Sequence, residues 1–312
     1  MKTAAGMLCL AGILSLGMGT TVFAEDGDSH YPVTITTYNY ENEPVEMTFE
    51  KAPEKVFAYA NSNIEELLAL GLGDKIVAAC GLDGDVREYL KDEFDKIQYM
   101  DTKPSKEEVV AMEPDFIAAW YSSFDDDWLS DVSFWQERDV NTYMSLNSAA
   151  KGPASEFPRT IEDEYEDILN LGKIFDCEDK AEEIVDQMKG EIDKVKEHVE
   201  GTDPLSVAVL EDEGDSFRVY GTETLGGNIP ETLGAELKLG AENSENVGAE
   251  DLIAADPDVL FMINYDGFMT ADEAIADITD NPAYASLSAV KNNKVFSVNL
   301  NEVYCSGVRT YD

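Results

Sequence analysis

A fifteen-residue pattern occurs twice in this chain, and it constrains the fold more than any other feature. Residues 105–119 read SKEEVVAMEPDFIAA and residues 248–262 read GAEDLIAADPDVLFM, with every shared position offset by 143. Glu107 aligns with Glu250, Ala111 with Ala254, Pro114 with Pro257 and Asp115 with Asp258. Each copy predicts a short helix with an acid in its first turn, a Pro-Asp stop and an apolar strand. One helix–strand unit used twice implies two similar α/β lobes, with room for a ligand between them.

Strands and helices alternate around the repeats. The pattern predicts strands over residues 33–40 and 46–49, turned at 41–44, and further strands at 55–59 and 76–79. Asn61, Ser62 and Asn63 read as the cap of a helix that runs to Leu70 and stops at Gly71 and Gly73. A helix over 128–138 and a strand over 140–144 follow the first repeat, and residues 151–158 break the pattern. Thr160 can cap a helix bearing Ile161, Tyr165, Ile168 and Leu169. Ile184, Met188, Ile192, Val195 and Val199 then recur at spacings of 4, 4, 3 and 4, an amphipathic stripe. A helix over 178–199 would be about 33 Å long at 1.5 Å per residue, enough to join two lobes rigidly. The second half predicts strands at 205–210, 217–220, 259–264 and 294–298, and helices at 224–233, 271–278 and 283–290. The expected fold is α/β: two Rossmann-like lobes with largely parallel sheets, residues 53–158 and 201–312. A strand segment, 25–52, precedes them and a helical segment, 159–200, joins them. A lobe of this kind usually closes with one more helix, and none is read in the sequence as far as Asp312.

Composition removes several function classes. With 65 acidic residues against 22 Lys and Arg, the net charge is −43, unfit for phosphate backbones or anionic lipid. Lys2, the apolar run 7–18 and Val22-Phe23-Ala24 read as a secretory signal over 1–24, cleaved before Glu25. Cys9 falls inside the apolar run, too early for a lipid anchor at the cleavage point. After processing, Cys80, Cys177 and Cys305 remain, an odd number that allows at most one internal disulfide. His30 and His198 are the two histidines, one in the amino-terminal tail and one near the end of the long helix, so a histidine-rich metal site does not converge in the cleft. The sequence calls for no cofactor. It shows no nucleophile elbow and no phosphate loop, which argues against an enzyme.

From Val33 onward the chain resembles the extracellular solute-binding proteins of ABC importers for iron–siderophore complexes and vitamin B12. The resemblance is carried by Val33-Thr34-Ile35-Thr36 before Ala52-Pro53-Glu54-Lys55-Val56, and by Ser62-Asn63-Ile64-Glu65 leading to Leu70-Gly71-Leu72-Gly73-Asp74. Both repeat copies and Asn281-Pro282-Ala283-Tyr284 through Ala289-Val290-Lys291-Asn292 complete it. It implies two lobes joined by one long helix, a ligand in the cleft, and capture without chemical turnover. The implied partners are a ferric siderophore, haem or corrinoid ligand and a membrane permease, with the binding protein itself monomeric. Glutamates at the positions of Glu107 and Glu250 dock on permease arginines in the resembling family, and Trp120 falls where a B12-binding relative places a cleft tryptophan.

Ligands in open α/β sheets sit at the carboxyl ends of strands. The loops there supply the candidate contacts: Tyr59, Asn61, Asn63, Arg87, Trp120, Tyr121, Tyr220, Tyr265, Tyr304 and Arg309. Apolar rings with a few polar groups suit a bulky organic ligand. Arg87, Arg218 and Arg309 are scarce cations able to hold a carboxylate or phosphate. A secreted receptor or adhesin without transport, a bare-metal receptor and a chelatase-like enzyme are the alternatives.

Overall fold

Asp115 and Asp258, the acids of the two Pro-Asp steps, each pin the start of a neighbouring strand. The Asp115 carboxylate accepts hydrogen bonds from the backbone N–H groups of Glu54 at 3.0 Å and Lys55 at 2.8 Å. Asp258 accepts from the Ser206 N–H at 3.0 Å and its hydroxyl at 2.7 Å. The same local chemistry therefore opens the central strand of each lobe.

The structure is a computed structural model and describes residues 30–148, 158–240, 246–265 and 267–310. The expected leader at 1–24 and residues 151–157 of the expected break lie outside the described residues. β1 (Val33–Tyr38) and β2 (Pro44–Phe49) form an antiparallel hairpin that sends Ile35, Met47 and Phe49 into the core. The first sheet holds β3 (Val56–Tyr59), β4 (Ile76–Cys80), β5 (Tyr99–Met100), β6 (Phe116–Ala119) and β7 (Asn141–Met144). Its order is β5-β4-β3-β6-β7, and every neighbouring pair is parallel. The second holds β8 (Ser206–Asp212), β9 (Phe217–Val219), β10 (Glu236–Leu237), β11 (Val259–Asn264) and β12 (Val295–Asn299). Here β10-β8-β11-β12 run parallel, and β9 pairs antiparallel with β8. Two α/β lobes are present, as the repeat implied.

The helix Glu178–Val199 lies between the two sheets in the chain and has the bounds that periodicity predicts. Ala181, Ile184, Val185, Met188 and Ile192 bury its apolar stripe in the same core as the helix Ile161–Ile174. The two helices approach so closely that a Cβ on Gly172 would lie 2.5 Å from that of Ala181. The last members of the stripe behave differently: Val195 is 43% exposed. With Val199, Leu205, Val207, Phe261 and Val298 it lines an apolar trough of about 680 Å³ against the second sheet. Parallel strands are apolar on both faces, which accounts for the character of this trough.

Three local expectations change. Asn61 and Asn63 do not cap their helix; it begins at Asn61, behind Ala60 at φ +74°, and both asparagines are buried in its first turn. The helix expected at 128–138 shrinks to Val132–Gln136, because Ser130 turns at φ +66° and the Asp131 carboxylate caps the Ser133 N–H. The helix expected at 283–290 splits into a turn at Pro282–Tyr284 and the short helix Ser288–Lys291.

The segment after β12 crosses back to the first lobe. Arg309 donates from Nε and Nη2 to the Glu65 carboxylate at 2.5 and 2.7 Å, and both side chains are buried. Removing one partner leaves a buried charge without its counterion, at a cost of about 3–5 kcal/mol. Arg309→Met should lower the unfolding free energy by that amount in urea titration. Lys194→Ala, on an exposed i,i+3 pair, should change it by no more than about 0.5 kcal/mol.

Candidate ligand cleft

The carboxyl ends of both sheets converge on a cluster of rings. Tyr59 ends β3, Trp120 follows β6, Tyr265 follows β11 and Tyr304 lies beyond β12. The Trp120 ring meets Tyr59 edge-on at 6.2 Å and Tyr304 edge-on at 5.3 Å, so it touches a residue from each lobe. Its indole N–H donates to the Ser62 hydroxyl at 3.0 Å, which fixes its rotation. Tyr121 stacks on Tyr40 at 5.9 Å, and Tyr265 stacks on Phe268 at 4.9 Å. Edge-on and offset ring pairs of this kind are favoured by the ring quadrupole.

Charge is set by few groups. The Tyr220 hydroxyl donates to Glu211 at 3.0 Å, and Arg218 lies 3.7 Å from the same carboxylate and 5.4 Å from the Tyr220 ring. Arg159 places its guanidinium 5.9 Å from the Tyr304 ring. Its backbone N–H donates to the Glu223 carbonyl, while its Nε is buried with no hydrogen-bond acceptor among the described residues. Burial pushes the phenols of Tyr59, Tyr220 and Tyr304 above their ordinary range, so they stay neutral at physiological pH. Lys103 sits 3.6 Å above the Trp128 ring, and burial lowers its amine.

Of the expected contacts, the structure brings Tyr59, Trp120, Tyr121, Tyr220, Tyr265 and Tyr304 into this region. Asn61, Asn63, Arg87 and Arg309 serve internal bonding instead. Asn61 holds the 81–87 loop through the Asp83 N–H and Gly84 carbonyl. Asn63 accepts from the Ser145 hydroxyl at 3.2 Å. Arg87 pairs with Glu302 at 3.0 Å, and Arg309 with Glu65. Ser62 and Glu211 lie in loops that strand ends already mark for the cleft without being singled out as contacts, whereas Arg159 and Lys103 lie outside those loops. Arg159 carried one signal: it is a cation directly before the helix cap Thr160, in a chain poor in cations.

Glu107 and Glu250 stand exposed in the first turns of the helices Lys106–Ala111 and Ala249–Ala255, one on each lobe. Ser105 and Glu108 form the expected capping box. Gly248 has no side chain, so the second copy keeps only the return half, in which Asp251 accepts from the Gly248 N–H at 2.9 Å. A helix leading into a parallel strand begins at the sheet's carboxyl end, so both glutamates share the end of the lobes where the rings converge.

Paired α/β lobes whose ring-bearing strand ends meet have the architecture of a two-lobed binding protein. Residues 56–299 match the family described as periplasmic binding protein, and the chain belongs to it. A periplasmic binding protein from Veillonella parvula DSM 2008 has a crystal structure that is 33% identical; the match covers 89% of this chain and 88% of that one, with a TM-score of 0.81. The uncharacterized ABC transporter substrate-binding lipoprotein YvrC of Bacillus subtilis (strain 168) is 24% identical over 99% of this chain and 94% of its own. The petrobactin-binding protein YclQ of the same organism is 24% identical over 82% of this chain and 78% of its own.

Behind the rings, Glu65, Glu66, Glu164 and Asp167 are all buried, with Arg309 paired to the first. Burial pushes Glu164 up to about 7, although the Asn147 amide and the Gly307 N–H both donate to it. Burial and the neighbouring Asp167, Glu164 and Glu65 raise Glu66 as well. A carboxyl raised in the folded state binds its proton more tightly there than in the unfolded chain. Its stabilisation is complete below the ordinary carboxyl range, near 4.5, and is lost as pH rises through about 7. Thermal melts should therefore show higher stability at pH 5 than at pH 8. Glu164→Gln should flatten that slope by roughly 3 kcal/mol, at 1.36 kcal/mol per pKa unit; an unchanged slope would assign the pH dependence elsewhere.

Proposed function

We propose that this protein captures an anionic ferric siderophore in the cleft and delivers it to the permease of an ABC importer. The observation that carries the reading is the pairing of the Trp120–Tyr304 ring wall with Arg159, whose buried Nε has no acceptor among the described residues. Rings supply apolar contact to a bulky chelate, and guanidinium groups suit its carboxylate or catecholate oxygens. Similarity to the petrobactin-binding YclQ and the ABC-associated YvrC supports the same class. Haem and corrinoids share the aromatic requirement but differ in charge. The protein acts as a monomer outside the cytoplasm, its leader over 1–24 removed.

Ferric catecholate and citrate-type siderophores, a neutral ferric hydroxamate, haem, cobalamin and zinc form the test panel. An anionic ferric chelate should raise the melting temperature, by about 2.7 kcal/mol of stability at 100 times its dissociation constant. Trp120→Ala and Arg159→Leu should each weaken that ligand at least about tenfold, near 1.4 kcal/mol. Stabilisation by zinc alone would overturn the reading.

The exposed pair Glu107 and Glu250 fits transient docking on permease cations, because exposed acids lose little on meeting a matched charge. Glu107→Ala and Glu250→Ala should leave ligand affinity nearly unchanged and lower uptake, together more than singly. Higher salt should weaken the complex with the permease, through screening over about 8–10 Å. Loss of ligand affinity with permease association intact would instead make these acids cleft residues.

A further inference from the structure

We propose that residues 81–87 form a latch that fixes the spacing of the two lobes in the ligand-free protein. The loop leaves β4 on the first lobe, and its far side is gripped by residues of the second. On the near side, the Asp83 N–H donates to Asn61 Oδ1 at 2.7 Å, and Asn61 Nδ2 donates to the Gly84 carbonyl at 3.3 Å. The Arg87 N–H donates to the buried Glu65 carboxylate at 2.8 Å.

On the far side, Asn301 Nδ2 donates to the Asp83 carbonyl at 3.1 Å and Arg87 Nη2 to Glu302 at 3.0 Å. Asn301 and Glu302 belong to the helix Leu300–Val303, which continues directly from β12 of the second sheet. Arg309 joins both sides, because it donates to the Asp85 carbonyl at 2.7 Å while paired with Glu65. Gly84 sits at φ +150°, a conformation that side chains rarely adopt, so the loop passes close to Asn301 and Asn299 only with glycine there.

Six backbone groups of this short loop are taken up by side chains, the sixth being the Leu82 N–H, which donates to the Tyr99 hydroxyl at 3.1 Å, and the partners come from both lobes. The loop also borders the ring cluster, with the Asp83 charge felt by Tyr59 on one lobe and Tyr265 on the other. A loop held in this way transmits any change in lobe spacing to the cleft wall. The long helix Glu178–Val199 limits hinge opening along one side, and the latch limits it at the cleft itself. The inference rests on the contacts between lobes and is independent of which ligand the cleft takes.

Hydrogen exchange on the ligand-free full chain tests it. Glu302→Gln and Asn301→Ala should each speed exchange in 82–87 and 300–304 together, by about tenfold, as one local opening unit. The charge swap Arg87→Glu with Glu302→Arg should return both segments toward the wild-type rate, and small-angle scattering should show larger dimensions for the single variants alone. Faster exchange confined to the mutated segment, or a swap no better than either single variant, would overturn the latch. A rise spread equally through β3 and β8 would overturn it too, since that is loss of global stability.

Discussion

Glu65 and Arg309 are buried together, and the closing part of the structure is organised around them. A carboxylate placed inside a protein needs a cation and further donors to offset its lost hydration. Glu65 receives two guanidinium donors and the Arg87 N–H. The consequence is geometric. The first helix of one lobe, the loop after β4 and the segment after β12 meet at one point, and the segment brings Tyr304 to Trp120 on its way there. The ring wall of the cleft is therefore a product of an ion pair about five residues further along the chain.

Around that point several of the chain's few cations are paired with acids. Its surface is dominated by acids, as the net charge of −43 requires, while Arg159 and Arg218 stand beside rings near the cleft. Arg218 is partly balanced by Glu211; Arg159 has a cation's reach without an acceptor at its Nε among the described residues. A guanidinium beside an aromatic face is well suited to an anionic ligand. The exposed glutamates of the two repeats lie at the same end of the lobes as the rings, one on each lobe.

Much of the architecture was legible because it depends on local chemistry. The Pro-Asp repeat located β6 and β11 and the helices before them, and the 4-4-3-4 stripe gave the long helix its bounds. Two-residue strands such as β5 and β10 were not legible, since so short a run carries no periodicity and pairs only because a neighbouring strand is already in place. The apolar end of the stripe, Val195 and Val199, reads as core but lines an open trough, because periodicity reports which residues share a face and not what covers it.

The candidate site divides along the same line. Loop position and residue type point to Tyr59, Tyr220, Tyr265 and Tyr304, and for Trp120 the family resemblance adds to them; an aromatic ring at a strand end can equally serve packing, and position alone does not separate the two roles. Nor do position and residue type separate Arg159 from Arg87 and Arg309. All three are arginines in or beside loops, and their roles depend on partners 64, 215 and 244 residues distant or on the lack of one. The sequence by itself determined two lobes, the strand ends that face each other and the acids exposed on each repeat. The tertiary structure decided which cations are spent on internal pairs and which face the rings, because charge pairing is settled by distances that no local pattern encodes.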